Sequence, residues 1–256
     1  MDSTYVAAYS RLEADHWWWR ARARIVSAEL GAVAPEGGWT RALDVGCGAG
    51  TFLSELAGHA REVEGLEPTA ALAATARDRG YLVHPDQLEA FEPERPYDLV
   101  TMMDVLEHIE DSPTALRHLR RITSPGATLL LTVPAMPALW TSHDVINEHH
   151  RRYTRTTLSE ELRDAGLVVE SVRYFFHWAA GAKLGQRGAE MLRSGAGGTP
   201  RVPPAPLNRA LAWVSRIDAR VGGGLRLPFG SSLLMVATSP ASSPVSSPPA
   251  SPRDAR

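Results

Sequence analysis

From residue 41 onward, short apolar runs alternate with stretches whose apolar residues recur at helical spacing. "RALDV" (41–45) is an apolar run that stops at glycines, as a buried strand does. "TAALAATARDRG" (69–80) is alanine-rich and closes on Gly80, a favourable residue just beyond a helix. Further strands are predicted over 62–68, 81–84, 97–103, 128–134, 167–175 and 231–238, and further helices over 51–60, 112–123 and 154–166. This alternation predicts a parallel sheet with helices on both faces.

A helical insert, about 176–228, separates the sixth and seventh predicted strands. It contains two amphipathic stretches, 174–193 and 207–223, and the segment between them, "SGAGGTPRVPPAP" (194–206), has the composition of a flexible linker. These helices suit a lid over a hydrophobic acceptor or an interfacial helix that contacts lipid. They equally suit a cover for the sheet or for a dimer partner.

Composition and charge change this picture little. A net charge of -2 gives no general electrostatic reason to bind nucleic acid. The single cysteine, Cys47, fits a reducing cytosol, and neither a signal peptide nor an apolar run long enough to span a membrane is found. We therefore expect a cytoplasmic protein with one domain over 1–238 and a disordered Pro/Ser-rich tail over 239–256.

The segment "LDVGCGAG" places Gly46, Gly48 and Gly50 in a predicted strand-to-helix turn. Glycines there let the backbone approach a ligand closely and aim N–H groups at it. The spacing departs from the dinucleotide fingerprint G-x-G-x-x-G, because the third glycine comes one residue early. Asp44 opens the motif, and a carboxylate suits a cationic cofactor better than a pyrophosphate. The motif therefore favours S-adenosylmethionine (SAM), whose sulfonium and ammonium groups are positive, over a nicotinamide cofactor.

Two further acidic residues follow the next predicted strands. Glu67 ends the second strand about twenty residues beyond the turn, where an acid can accept both ribose hydroxyls. Asp86 follows the third strand, where its carboxylate or the neighbouring backbone can bind the adenine amino group. The ordered set of glycines and acids at successive strand ends is much more specific than a glycine turn alone.

With "GLEP" and "DVLEHIED", the glycine turn resembles class I SAM-dependent methyltransferases, especially those similar to ubiquinone-pathway O-methyltransferases, over roughly residues 15–175 and the final strand. The resemblance implies a Rossmann-like seven-stranded sheet of order 3-2-1-4-5-7-6 with the seventh strand antiparallel. It implies methyl transfer to a small-molecule acceptor, with O-methylation favoured and C- or N-methylation left open. A nicotinamide-dependent oxidoreductase and a non-catalytic SAM-binding or regulatory protein are the alternatives. The residues expected to bind the cofactor are Arg24, Asp44, Gly46, Cys47, Gly48, Gly50, Glu67, Pro68, Asp86, Gln87 and Met103.

The segment "MMDVLEHIED" (102–111) follows the fourth strand, at the crevice where open α/β sheets bind ligands. Asp104, Glu107 and His108 have the i, i+3, i+4 spacing of one face of a helical turn. Such a face can hold a divalent ion, and some quinone-pathway relatives use magnesium at matching positions. The alternative is that these side chains hydrogen-bond locally, with Asp104 and His108 lining the acceptor site.

The loop beyond the fifth strand, "ALWTSHDVINEHHRRYTRTTL" (138–158), is rich in groups that can move protons. A hydroxyl nucleophile needs a base, and histidine titrates in the useful range. By resemblance, His143 or His149 is expected to be that base, with Arg152 and Tyr153 positioning the substrate. A solvated loop that caps the following helix is the alternative. A zinc site made of His143, Asp144 and His149 is less favoured, because metalloprotease-like helical spacing is missing.

The three tryptophans of "DHWWWRARAR" (15–24) precede the first predicted strand, on an expected lid helix over about residues 10–30. Adjacent helical residues point about 100° apart, so the three rings cannot all face one core. By resemblance, Trp18 is expected to form a wall of the active site. Arg24 best matches, by its spacing, the arginine that binds the SAM carboxylate in quinone-pathway relatives. An amphipathic helix with solvated arginines is the alternative.

Overall fold

The computed structural model describes residues 3–192, 201–225 and 227–241. Most of the predicted disordered tail, 242–256, and the greater part of the predicted linker, 194–200, lie outside the described residues. Among the residues that are described, no helix is both long and apolar enough to cross a membrane.

Seven strands form one sheet in the order β3-β2-β1-β4-β5-β7-β6, which confirms the predicted topology. The first five strands pair in parallel, whereas β7 runs antiparallel to both β5 and β6. The strands are β1 Trp39–Val45, β2 Ala60–Leu66, β3 Leu82–His84, β4 Tyr97–Met103, β5 Thr123–Pro134, β6 Val168–Phe175 and β7 Ser232–Thr238.

Helices cover both faces of this sheet. The helices are α1 Ser3–Asp15, α2 Trp17–Val33, α3 Leu53–Leu56, α4 Ala70–Asp78, α5 Ser112–Ile122, α6 Ser142–Ile146, α7 Arg155–Asp164, α8 His177–Leu192 and α9 Ala205–Leu225. One apolar core lies beneath α5 and α7, where Leu116 and Leu162 are fully buried, and a second lies beneath α2, where Val26 and Leu30 are. Two separate cores over one sheet are what a doubly covered parallel sheet requires.

Two local predictions differ from the structure. The helix expected over 51–60 is only the single turn α3, because the chain turns back on itself at Gly58, whose N–H donates to the Glu55 carbonyl. The N-terminal helix expected over about residues 10–30 is divided at His16, which has an extended backbone (φ -74°, ψ 133°). The His16 ring nitrogen accepts a hydrogen bond from the Trp18 N–H at 3.2 Å, so His16 is the N-cap of a new helix.

The carboxyl ends of the central strands lie side by side. Val45 at the end of β1 is in register with Leu66 of β2 on one side and with Met102 of β4 on the other. Residues that follow these strands therefore meet at one edge of the sheet, at the point where ligands of open α/β sheets bind.

Candidate active site

The glycine turn after β1 needs glycine for two different reasons. Gly46 has φ +69° and faces the cavity, where an added Cβ would collide with the Val105 side chain. Gly50 has φ +78°, and its Cβ would lie 2.7 Å from the Cβ of Ala76 on α4. Gly46 therefore keeps the backbone open to a ligand, whereas Gly50 allows close helix packing and does not line the cavity.

Asp44 and Glu67 lie beneath this turn, as the sequence predicted. Asp44 is buried at the end of β1 and accepts a hydrogen bond of 2.7 Å from the Thr101 hydroxyl. Burial raises the pKa of Asp44 to about 7. Glu67 accepts hydrogen bonds from the N–H groups of Gly48 at 3.0 Å and Thr69 at 2.8 Å, so it holds the turn, and it lines the cavity.

Glu13 on α1 is a third acid at this turn, and no motif or spacing in the sequence indicates it. Its carboxylate accepts from the Ala49 N–H and the Thr51 hydroxyl, both at 3.2 Å. Burial raises the pKa of Glu13 to about 7. Helix α1 is thus fastened to the glycine turn, and a positive ligand there would be surrounded by three carboxyl groups.

Arg22 is a buried cation among the residues that line the cavity. It forms an ion pair with Asp104 and donates to the Met103 carbonyl at 3.1 Å, while its guanidinium lies 4.7 Å from the centre of the Trp18 ring. Arg24 lies nearer the rim, where burial and the charges of Arg216 and Arg20 lower its pKa. Arg22 and Arg24 thus both line the cavity, and among the described residues Arg24 Nη1 is buried without a hydrogen-bond partner. The assignment of Arg24 to the cofactor stays a prediction.

All three tryptophans line the cavity, each against different neighbours. Trp17 packs on Trp178 and Phe176, with ring centroids 5.2 and 5.9 Å apart. Trp18 packs on Phe176 at 6.0 Å and under Arg22, and Trp19 packs edge-on against Trp18 at 4.9 Å. The rings form one continuous aromatic wall that joins α2 to the insert helix α8.

A single cavity of about 1260 Å³ collects most of the predicted site residues. It is lined by Trp18, Arg24, Asp44, Gly46, Cys47, Glu67, Pro68, Met103, Asp104, Glu107, His108, His143, His149 and Arg152, among others. The predicted residues Gly48, Gly50, Asp86, Gln87 and Tyr153 do not line it.

The structure accounts for the residues that are not brought into the cavity. Tyr153 pairs as a β-bridge with Ala135, and its ring lies in the apolar core, so it does not face an acceptor. Asp86 and Gln87 are exposed beyond β3. Asp86 borders a separate cavity of about 590 Å³ that also contains His84.

The segment after β4 does not form the expected helical face. Asp104 has φ +54° and precedes a 3-10 turn over Leu106–His108, so it does not share a helical turn with Glu107. Its carboxylate pairs with Arg22. Glu107 is fully buried and neither of its oxygens has a hydrogen-bond partner, and burial together with Asp104 raises its pKa well above the ordinary value.

Among the described residues, a different set meets at metal-binding range. One ligand atom each of Glu107, His108 and His149 lies within 4.8 Å of the others. A site of His143, Asp144 and His149 is not formed by the part of the chain that the structure describes. The donors that do meet are one carboxylate and two imidazoles.

Asp144 and His149 form a buried pair, of which His149 lines the cavity. His149 Nδ1 lies 3.0 Å from Asp144 Oδ1, and Arg152 Nε donates to the same oxygen at 2.8 Å. Burial opposes the charged form, but the hydrogen bond from His149 and the charge of Arg152 outweigh it and hold the pKa of Asp144 well below its ordinary value. Asp144 is therefore ionised and fixes the orientation of His149.

His143 lines the same cavity without such a partner. Its ring nitrogens lie 3.2 and 3.3 Å from the amide nitrogen of Asn147, one helical turn away. Burial and the charge of Lys183 lower the pKa of His143 to about 4, so its imidazole is a weak proton acceptor.

Comparison with known proteins agrees with this architecture. Residues 10–172 match the family model described as "Methyltransferase domain". A protein of Mycolicibacterium smegmatis named "Probable S-adenosylmethionine-dependent methyltransferase" is 31% identical over 150 residues, which are 57% of this chain and 58% of that one. A ubiquinone biosynthesis O-methyltransferase of Sodalis glossinidius is 33% identical over 38% of this chain and 43% of that one. The chain thus matches about half the length of these relatives.

A solved structure shows the same fold. The N-methyltransferase NodS from Bradyrhizobium japonicum, in complex with S-adenosyl-L-homocysteine, superimposes with a TM-score of 0.55 at 17% identity. The superposition covers 93% of this chain and 98% of that one. The family model spans more than half of the chain, and the sheet has the strand order that the resemblance implies. The chain belongs to the class I SAM-dependent methyltransferase family.

Proposed function

We propose that this chain transfers the methyl group of SAM to a hydroxyl group of a small acceptor. The observation that carries the proposal is that one cavity joins the acid-lined glycine turn to the buried Asp144–His149 pair. Asp44, Glu67 and the Gly46 backbone would hold the cofactor, because buried carboxylates and an open backbone suit a cationic nucleoside. When bound, SAM supplies an electrophilic methyl group on a positively charged sulfur.

His149 is the general base in this proposal. The Asp144 carboxylate accepts from Nδ1–H, which leaves Nε2 as the ring nitrogen that can take a proton from the acceptor hydroxyl. Holding the two reactants together in the walled cavity contributes most of the acceleration, on the order of 7–11 kcal/mol for well-oriented groups. Arg152 acts through Asp144, since it stabilises the carboxylate that orients the base.

The aromatic wall supports an acceptor with an apolar body. Trp17, Trp18 and Trp178 contribute flat apolar surface beside the polar His149 side of the cavity. A planar acceptor that carries a hydroxyl matches both surfaces. The similarity to the ubiquinone biosynthesis O-methyltransferase of Sodalis glossinidius, with 33% identity over 38% of this chain, supports a hydroxyl group as the acceptor.

The group of possible metal ligands formed by Glu107, His108 and His149 does not fit magnesium. Mg²⁺ prefers oxygen ligands, whereas this group offers two imidazoles and one carboxylate, and Asp104 is engaged by Arg22. His149 also cannot bind a metal through Nε2 and accept a proton there. We therefore expect exhaustive EDTA treatment to leave turnover unchanged, and a loss of turnover that Mg²⁺ restores would contradict this assignment.

The test compares two histidine variants on a panel of aromatic alcohols, amines and carboxylates. His149→Gln is expected to lower kcat about 100-fold or more for alcohols, because the base is lost, while calorimetric affinity for S-adenosylhomocysteine stays the same. His143→Gln serves as the matched comparison and is expected to lower kcat less than about tenfold. The reverse order of losses, or methylation of amines alone, would contradict the proposal.

A further inference from the structure

The outer side of α9 carries an apolar row next to a row of arginines. The apolar row is Ala210, Trp213, Ile217 and Val221, and the arginine row is Arg209, Arg216 and Arg220; together we call them the α9 face. All seven residues are exposed, and Trp213 and Val221 keep 62% and 52% of their surface in solvent. At about 100° per residue, each row occupies a narrow strip along the helix.

The opposite side of α9 fixes the direction of this face. Asn208 accepts from the Trp17 N–H at 2.9 Å and donates to the Asp15 carbonyl at 2.8 Å. Asp218 accepts from the N–H groups of His177 at 3.0 Å and Trp178 at 3.2 Å. The helix is therefore held to α2 and α8 by its inner side, and the α9 face points outward.

The charge of the α9 face is positive and uncompensated within the helix. Asp218 is the one acidic residue in the α9 sequence, and its carboxylate is used on the inner side. Arg216 also lies close enough to Arg24 of the cavity rim to affect its ionisation, together with Arg20. The arginine row thus continues into a cluster of guanidinium groups at the mouth of the cavity.

We propose that the α9 face docks on an anionic lipid bilayer and so brings the cavity mouth to the membrane surface. Exposed tryptophan and aliphatic side chains beside arginines are the composition of an interfacial helix, in which the apolar row enters the headgroup region and the arginines bind lipid phosphates. Charge complementarity selects this occupant, since the face offers no acidic group to a basic partner. Docking does not depend on the acceptor chemistry proposed above.

The experiment is co-sedimentation of the full-length chain with vesicles of phosphatidylcholine, with or without one part in three of phosphatidylglycerol. Binding is expected only with the anionic vesicles, and it is expected to weaken as salt is raised. Trp213→Ser should reduce partitioning about tenfold or more, and Arg220→Gln about fivefold. Leu82→Ser and Arg117→Gln are the matched controls, because they remove an exposed apolar residue on β3 and an exposed arginine on α5 without touching α9.

Several outcomes would overturn the proposal. These are absence of vesicle binding, equal binding to neutral and anionic vesicles, or equal losses in the control variants. Light scattering that shows a dimer, dissociated by Trp213→Ser, would assign the face to a second copy instead. Circular dichroism of every variant reports folding. Vesicle binding by a folded chain that does not bind S-adenosylhomocysteine would refute the proposed function but not the docking.

Discussion

Asp44 is a carboxyl group that the fold buries even when no cationic ligand is bound. It is 1% exposed and has one neutral hydrogen-bond donor, the Thr101 hydroxyl. Raising the pKa from 3.8 to about 7 corresponds to about 4 kcal/mol at about 1.4 kcal/mol per pH unit. The ligand-free protein is therefore destabilised when Asp44 ionises, and a bound cation removes that penalty.

The sign of the pH dependence follows from the two states of the chain. The folded protein keeps the Asp44 proton up to about pH 7, whereas the unfolded chain releases it near its ordinary pKa of 3.8. The contribution of Asp44 to stability is therefore most favourable at or below that ordinary pKa, and it declines as the pH rises to about 7. Asp44→Asn keeps an oxygen acceptor for Thr101 and removes the titration.

Urea unfolding of the ligand-free protein and of Asp44→Asn measures this effect. The variant should gain about 2–3 kcal/mol of unfolding free energy relative to the unchanged protein between about pH 5 and about pH 7.5. Equal m-values in the two proteins are the control. The same variant should lose SAM affinity, most strongly at the higher pH. A stability difference that is constant with pH would refute the assignment of a raised pKa to Asp44.

Three further predictions concern the cavity. Gly46→Ala and its control Gly126→Ala both place a side chain at positive φ, at a cost of about 1–2 kcal/mol. Only the Cβ at position 46 meets a neighbouring side chain. Calorimetry should therefore show weakened S-adenosylhomocysteine binding for Gly46→Ala alone. Arg22→Gln should weaken SAM binding more than Arg24→Gln, because Arg22 also holds the Asp104 carboxylate and the Met103 carbonyl. The reverse order in the same titration would support Arg24 as the arginine that binds SAM. Glu107→Met should raise the free energy of unfolding by about 1–3 kcal/mol, because it removes a buried carboxyl without partners. A loss of stability in urea unfolding would show that the carboxyl is paired.

Local patterns predicted those parts of the fold whose signal lies within a short window. The run over β4 was predicted at its observed bounds, Tyr97–Met103, because a buried parallel strand is a continuous apolar run between turns. The division at His16 was not predicted, since it depends on a single ring nitrogen that caps the next helix. The helix predicted over 51–60 was too long, because the hydrogen bond from the Gly58 N–H to the Glu55 carbonyl ends α3 after a single turn.

The site residues also divide into those that chain order predicts and those that depend on tertiary contacts. Asp44 lies near the end of β1 and Glu67 directly follows β2, so chain order alone places them at one edge of the sheet. Glu13 was missed because its partners, Ala49 and Thr51, are more than thirty residues away and no local periodicity links them. The pairing of Asp144 with His149 was also missed, because a separation of five residues across a loop follows no helical rule. Tertiary packing, rather than local pattern, decides these contacts.

The aromatic wall gives the protein an optical property. Four of its seven tryptophans, Trp17, Trp18, Trp19 and Trp178, line one cavity. Indole emission responds to the polarity and charge of its surroundings, so a nucleoside entering this cavity changes the fluorescence of most of the emitting side chains together. Ligand occupancy can then be followed in real time without a label, and Trp18→Phe would identify how much of the signal comes from the ring beneath Arg22.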